Sequence, residues 1–77
     1  MTMATQRSLE ELRARARLAI SSPKLVRIAW TAASPNAAYN LAKIWTGEEI
    51  EAQACRFLAI IKRDFGEAKF EEAIQEK

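Results

Sequence analysis

Two Ser-Pro pairs, twelve residues apart, fix where helices begin in the middle of this chain. Proline fits the first turn of a helix, where its missing N–H needs no partner, but it breaks a helix interior. A serine directly before the proline caps the same helix end with its side-chain oxygen. Ser22-Pro23 and Ser34-Pro35 therefore predict two short helices, over residues 23–33 and 35–45.

A further helix is predicted ahead of this pair. Ser8 followed by Glu11 three residues later has the spacing of a capping box, in which each side chain bonds the other residue's backbone N–H. Apolar residues then recur at helical spacing, which predicts a helix over residues 9–20. Residues 1–7 are expected to be a frayed tail.

The C-terminal part carries the clearest helical pattern. Thr46 and Glu49 form a second capping box, ahead of a long amphipathic helix predicted over residues 47–65. Acidic residues lie in its first turn and basic residues in its last, as the helix dipole favours. Gly66 predicts a left-handed helix end before a short helix over residues 67–75. The alternative is one long helix that continues through Gly66 to the C-terminus.

Apolar spacing also predicts which helix faces turn inward. Leu41 and Trp45 are expected to face the interior together with neighbouring alanines. Ile50 begins the apolar stripe of the long helix, and that stripe is expected to be buried as well.

Together these patterns predict an all-α fold, a compact bundle of four to five short helices that forms one domain over residues 1–77. A chain this short buries only roughly 60% of its unfolded surface, so small domains usually need disulfides, a metal or oligomerisation. Cys55 is the only cysteine, so no internal disulfide can form. Good helix packing or self-association remains, and we expect a homodimer or a tight complex with a partner, with a monomer as the alternative.

Catalytic equipment is missing from the sequence. The chain has no histidine, and one cysteine cannot form a zinc cluster, so we expect neither a metal nor a cofactor. Glu48 and Glu51 share a helix face, but this spacing is typical of a solvated first turn. Cys55 is interpreted as an inert packed thiol, with a redox or intermolecular role as the alternative. We predict that the protein is not an enzyme.

Location is predicted from what the sequence lacks. The N-terminal residues are polar, without the apolar stretch of a secretory signal. No run of residues approaches the ~18 apolar positions that span a membrane. A single thiol fits a reducing compartment. We expect a cytoplasmic protein without a membrane partner.

Charge is distributed unevenly along the chain. Residues 1–46 hold seven basic and two acidic residues, giving +5, and residues 47–77 hold five basic and eight acidic residues, giving −3. This asymmetry permits an acidic partner for the basic half or head-to-tail self-association, although it also fits solvated helix surfaces. The residues predicted to contact phosphates, if nucleic acid is bound, are Arg13, Arg17, Lys24 and Arg27.

The segment over residues 28–41 resembles a DNA-reading helix-turn-helix unit. It has an alanine in the first helix, Ser34 opening the second, and apolar residues at the packing positions of the second. It departs from the pattern in a turn one residue short, in lacking the usual glycine, and in Trp30 at a normally polar position. The resemblance implies that the side chains reading bases are Asn36, Asn40 and Lys43.

Aromatic residues suggest a binding surface, because so small a chain has more of them than one monomer is expected to cover. Tryptophan and tyrosine are enriched among residues that anchor interfaces. The predicted anchors are Trp30, Tyr39, Trp45 and Phe57. We therefore predict a small non-enzymatic regulator, inhibitor or adaptor with a protein partner, a profile typical of phage- and plasmid-encoded proteins. The alternative is a dimeric helix-turn-helix transcriptional regulator that binds DNA.

Overall fold

The computed structural model describes the backbone over residues 2–75 and the side chains over residues 8–75. Every regular element in this part of the chain is a helix, which confirms the all-α class. The described part forms six helices, more than the four to five predicted. They are α1 (Thr2–Arg15), α2 (Arg17–Ile20), α3 (Pro23–Thr31), α4 (Pro35–Thr46), α5 (Glu49–Phe65) and α6 (Glu67–Gln75).

The N-terminal helix starts earlier and breaks sooner than predicted. α1 begins at Thr2, so Ser8 lies inside the helix and the predicted capping box at Ser8 is wrong. Ala16 then departs from helical geometry at φ −89° and ψ 5°, which separates α1 from α2. Ala16 and Ala19 are both fully buried, so the junction between α1 and α2 lies against the core. The side chains of the predicted tail, residues 1–7, lie outside the described residues.

Both Ser-Pro pairs act as predicted. The Leu25 N–H donates to Ser22 Oγ at 3.3 Å, and the Ala37 N–H donates to Ser34 Oγ at 3.1 Å. α3 ends at Thr31, two residues early, because the chain must become extended before the second proline. Ser34 accordingly has φ −155° and ψ 164°.

The turn between α4 and α5 differs from the prediction. Gly47 has φ 72° and ends α4 in the left-handed region, so it belongs to the end of α4 and not to the start of α5. Thr46 Oγ1 accepts from the Glu48 N–H at 3.0 Å and also donates to the Ala42 carbonyl oxygen at 3.0 Å. The predicted Thr46–Glu49 capping box is therefore wrong, and α5 begins at Glu49.

Gly66 separates α5 from α6, which confirms the predicted break. Its φ of 95° and ψ of 168° lie in a region open essentially to glycine alone, and not in the left-handed helical region expected from the sequence. The Gly66 N–H still donates to the Lys62 carbonyl oxygen at 3.1 Å, which closes the last turn of α5.

α5 is the central helix, and each of the other five helices packs against it. Of the fourteen buried apolar residues in the described part, nine are alanines. The five larger ones are Leu25, Cys55, Leu58, Ile61 and Phe70. Such a core brings helix backbones close together but leaves many large apolar side chains nearer the surface.

Candidate protein-binding surface

α4 packs on α5 through its smallest residues, and this pair is the most extensive helix contact in the molecule. Ala38 and Ala42, one turn apart, are both fully buried, and Pro35 is buried at the start of the helix. Because alanine adds little width, the two helices approach closely. The side of α4 that α5 covers is therefore narrow.

The side of α4 next to this covered side carries large apolar side chains in solvent. Ile44 is 82% exposed, Trp45 55% and Leu41 48%, and the smaller Ala37 lies one turn before Leu41. At 1.5 Å per residue these four residues run for about 12 Å along one side of the helix. We call Ala37, Leu41, Ile44 and Trp45 the α4 stripe.

The α4 stripe corrects the predicted orientation of the helix. Leu41 and Trp45 were expected to face inward, but the core side is formed by alanines instead. Ile50, expected at the start of the buried stripe of α5, is 70% exposed. The apolar face of α4 is wider than the part that α5 covers, which leaves Leu41 and Trp45 outside. By contrast, Ile50 lies in the acidic first turn of α5 between the exposed Glu49 and the half-buried Glu51.

Two side-chain contacts fix α4 along its edges. On one edge, Lys24 Nζ of α3 lies 5.4 Å from the Trp45 ring centroid. On the other, Tyr39 Oη donates to Glu49 Oε1 at 2.7 Å. That hydrogen bond lowers the pKa of Glu49 and raises the pKa of Tyr39. With Ser34 and Gly47 capping its ends, α4 presents the stripe from a fixed position.

The other predicted anchors are engaged within the molecule. Trp30 is half-buried and packs on Phe70 with ring centroids 5.1 Å apart. Phe57 is half-buried as well, and the Arg15 guanidinium lies 5.6 Å from its ring centroid. Tyr39 bonds Glu49 as described. Trp45 is therefore the predicted anchor that the fold leaves most available.

The predicted phosphate-binding residues are spread over several surfaces. Arg13 and Arg17 line one groove of about 650 Å³ between α1, α2 and α6, together with Glu10. Arg27 lines a different groove of about 380 Å³ between α3 and α6, beside Glu71. Each groove thus combines basic and acidic side chains.

The residues predicted to read bases lie on α4. Asn36 and Asn40 are exposed there, and Lys43 is half-buried. Lys24 is the predicted phosphate contact that reaches α4, through the Trp45 ring. The structure therefore places the two asparagines next to the α4 stripe and brings one of the four basic residues to the same helix.

Cys55 is buried beneath α3. Its Sγ donates to the Leu25 carbonyl oxygen at 3.4 Å, and burial raises the pKa of the thiol to about 11. A thiol held protonated in this way is a poor nucleophile. Within residues 8–75, no three His, Cys, Asp or Glu side chains gather in a way that could hold a metal ion.

Sequence reasoning missed Ile44 and Ile50 as surface residues. A signal for Ile44 was present, because Ile44 extends the apolar face of α4 well beyond Ala38 and Ala42 at helical spacing. An apolar face this wide on one short helix indicates that part of it faces something other than the core. For Ile50 the sequence carries no such signal, because its spacing matches that of the buried residues.

No protein-family model, curated protein or solved structure matches this chain. Among the helices described over residues 2–75, none has the length and hydropathy that crossing a membrane requires.

Proposed function

We propose that this chain is a small non-enzymatic binding protein that acts as a regulator, inhibitor or adaptor through the α4 stripe. One observation carries the proposal: Leu41, Ile44 and Trp45 lie along one side of the same helix and are 48%, 82% and 55% exposed. Scattered exposed apolar residues are normal on a protein surface, but a contiguous apolar stripe is typical of an interaction site.

The spacing of the stripe supports a helical mode of recognition. Helices that dock on other proteins use apolar anchors at i, i+3, i+4 and i+7 positions. Ala37, Leu41, Ile44 and Trp45 follow such spacing. Trp45 adds a large aromatic surface of the kind that dominates interface energetics.

The rigidity of α4 supports the proposal in a second way. Ordering a flexible segment during binding costs free energy, and a preformed binding surface avoids that cost. α4 has Ser34 at its N-terminus, Gly47 at its C-terminus, and side-chain contacts to α3 and α5. The stripe is therefore held in place before a partner arrives.

The test is site-specific photo-crosslinking in extracts of the source cell. A photoreactive residue replaces Ile44 in one variant and the exposed Glu72 of α6 in the control variant. We expect a discrete adduct from position 44 that excess wild-type protein suppresses and excess Ile44→Glu does not. Equal labelling from both positions, or labelling that both competitors suppress alike, contradicts the proposal.

DNA binding is the second candidate, favoured by one observation. Three residues, Ala32 to Ser34, separate α3 from α4, and the following helix exposes Asn36 and Asn40. Against it, the exposed side of α4 also carries Ile44, and acidic Glu48 and Glu49 follow its end. Phosphate groups are repelled by carboxylates at that position.

Titration of a fluorescent random duplex at two salt concentrations separates these functions. A DNA-binding protein loses affinity steeply as salt rises, because counterions are released on binding. Asn40→Ala then weakens binding to a preferred sequence. Absence of binding even at low salt rejects this candidate and leaves the protein-binding proposal in place.

A further inference from the structure

The balance between core and surface indicates that the fold leaves apolar area to be covered. Five apolar side chains larger than alanine are fully buried in the described part of the chain. Five large apolar side chains are exposed there, and four of them lie within residues 41–50. A chain with so small a core gains stability from a partner that is always present and covers these exposed residues.

The side chains of the α4 stripe become larger along the helix. Two copies of the stripe that lie antiparallel therefore have complementary shapes. It begins with Ala37, continues with Leu41, and ends with Ile44 and Trp45. When two such helices lie antiparallel, the small end of each meets the large end of the other. Leu41 then meets Leu41 of the second copy at the centre of the contact.

Charge along α4 fits the same arrangement. The first turn of α4 holds no acidic residue, and its N-terminus carries the positive end of the helix dipole. Glu48, exposed directly after the helix, lies at the opposite end. Antiparallel packing brings Glu48 of each copy towards the N-terminus of the other α4, whereas parallel packing brings the two Glu48 carboxylates towards each other.

From the size gradient and the charge, we infer that the partner covering the α4 stripe is a second copy of this chain. The two α4 helices pack antiparallel around a two-fold axis near Leu41. The same patch then serves both copies, as a two-fold dimer requires. This inference rests on the proposed function, because it names the occupant of the same surface.

The first experiment measures mass by sedimentation equilibrium over protein concentrations from about 1 µM to about 1 mM, since short helix pairs give small interfaces. We expect the wild type to approach twice the chain mass of 8.7 kDa. Leu41→Glu is expected to remain a monomer. The matched control is Leu18→Glu, because both leucines are 48% exposed but Leu18 lies on α2.

Control of folding comes from far-UV circular dichroism of both variants, which is expected to match the wild type. If Leu41→Glu unfolds, Ile44→Ser is used in its place, because the Ile44 side chain is 82% exposed and contributes little to the core. If Leu18→Glu weakens the dimer as much as the stripe variants do, the assignment of the dimer interface to α4 is overturned.

Orientation is tested by disulfide trapping at pH 8, where buried Cys55 stays unreactive because burial raises its pKa to about 11. We expect Leu41→Cys to form a disulfide dimer with itself. Ala37→Cys and Ile44→Cys are expected to cross-link when mixed and not alone. Cross-linking of each of these two variants with itself overturns the antiparallel arrangement.

The outcomes separate this inference from the proposed function. A wild type that keeps a mass of 8.7 kDa at every concentration overturns the second copy as partner. A competed adduct of Ile44 with a different protein then still supports the proposed function. If the wild type is monomeric and position 44 gives no specific adduct, the proposed function fails as well.

Discussion

The two tryptophans differ in what lies around them, although a lysine ammonium faces each ring. Lys62 Nζ lies 4.7 Å from the ring centroid of Trp30, and Lys24 Nζ lies 5.4 Å from that of Trp45. Trp30 is half-buried and also packs on Phe70. Trp45 is 55% exposed.

What separates them is the number of helices that meet at each ring. At Trp30, α3 is joined by α5 through Lys62 and by α6 through Phe70, and Lys62 Nζ also donates to the Trp30 carbonyl oxygen. At Trp45 the described ring contact comes from α3 through Lys24. A tryptophan therefore becomes core or surface according to its surrounding helices, and its own sequence neighbourhood does not decide which.

Alanine substitution is expected to separate the two tryptophans most strongly. Trp30→Ala removes a ring packed between three helices, and we expect a loss of about 3 kcal/mol in the free energy of unfolding, at the lower end for buried aromatic residues. Trp45→Ala at low protein concentration is expected to change it by about 0.5 kcal/mol or less. Urea denaturation measures both changes in unfolding free energy. Equal losses would contradict the conclusion that Trp30 belongs to the packed interior and Trp45 to the surface.

Labelling of the Cys55 thiol reports opening of the Trp30 region, because Cys55 lies beneath α3. A loss of about 3 kcal/mol corresponds to roughly 100-fold faster labelling in Trp30→Ala, if labelling proceeds through opening. Trp45→Ala is expected to label at the wild-type rate. Alkylation kinetics at pH 8 measure this, and direct labelling of the folded protein would appear as equal rates in all three proteins.

The same thiol predicts a pH dependence of stability. Its pKa is about 11 in the folded protein and 9.0 ordinarily, so the unfolded chain releases its proton first as pH rises. Stability from this group is complete below pH 9.0 and is lost towards about pH 11. Cys55→Ala is expected to reduce the fall in unfolding free energy between pH 9.0 and about pH 11, measured by urea denaturation. If the fall is unchanged, other groups cause it.

Replacing each lysine with methionine compares the two cation contacts with little change in side-chain size. Lys62→Met removes a partly buried ammonium that also bonds a backbone carbonyl, and about 1–2 kcal/mol of unfolding free energy is expected to be lost. Lys24→Met acts at an exposed ring, where about 0.5 kcal/mol is expected. Thermal unfolding measures both, and the reverse order would mean that exposure does not govern these contacts.

The smallest effect is expected at the edge of α4 opposite Trp45. The Tyr39 hydroxyl holds the pKa of Glu49 below its ordinary value of 4.5. This contribution to stability is present above pH 4.5 and is lost as pH falls through the lowered pKa. Tyr39→Phe is expected to raise the Glu49 pKa in an NMR titration, while Gln53→Ala raises it less because the tyrosine hydrogen bond is the larger cause.

Local capping made much of the fold predictable from the sequence. The starts of α3 and α4 follow from Ser22 and Ser34, because a cap needs only the residues of its own turn. Gly66 ends α5 for a similarly local reason. At Gly47 two local signals overlapped within a short turn, and the helix-ending role of glycine prevailed over the capping box.

The candidate surface was less predictable, because burial depends on residues far along the chain. The ring that packs on Trp30 belongs to Phe70, forty positions later, and no residue near Trp30 in the sequence predicts this contact. Likewise, Leu41 and Trp45 have the spacing of core residues, and only the close approach of α5 on Ala38 and Ala42 leaves them outside. Helix ends can therefore be predicted from the sequence more readily than helix orientation.

The alanine-rich core has a consequence for the entropy of folding. Alanine has no side-chain rotamers to lose, whereas a leucine or isoleucine loses about 0.5–1 kcal/mol of rotamer freedom when it is buried. Nine of the fourteen buried apolar residues are alanines, so forming this core freezes few side chains. Folding therefore has a low side-chain entropy cost per buried residue, and the exposed Leu41, Ile44 and Trp45 retain rotamer freedom in the folded chain.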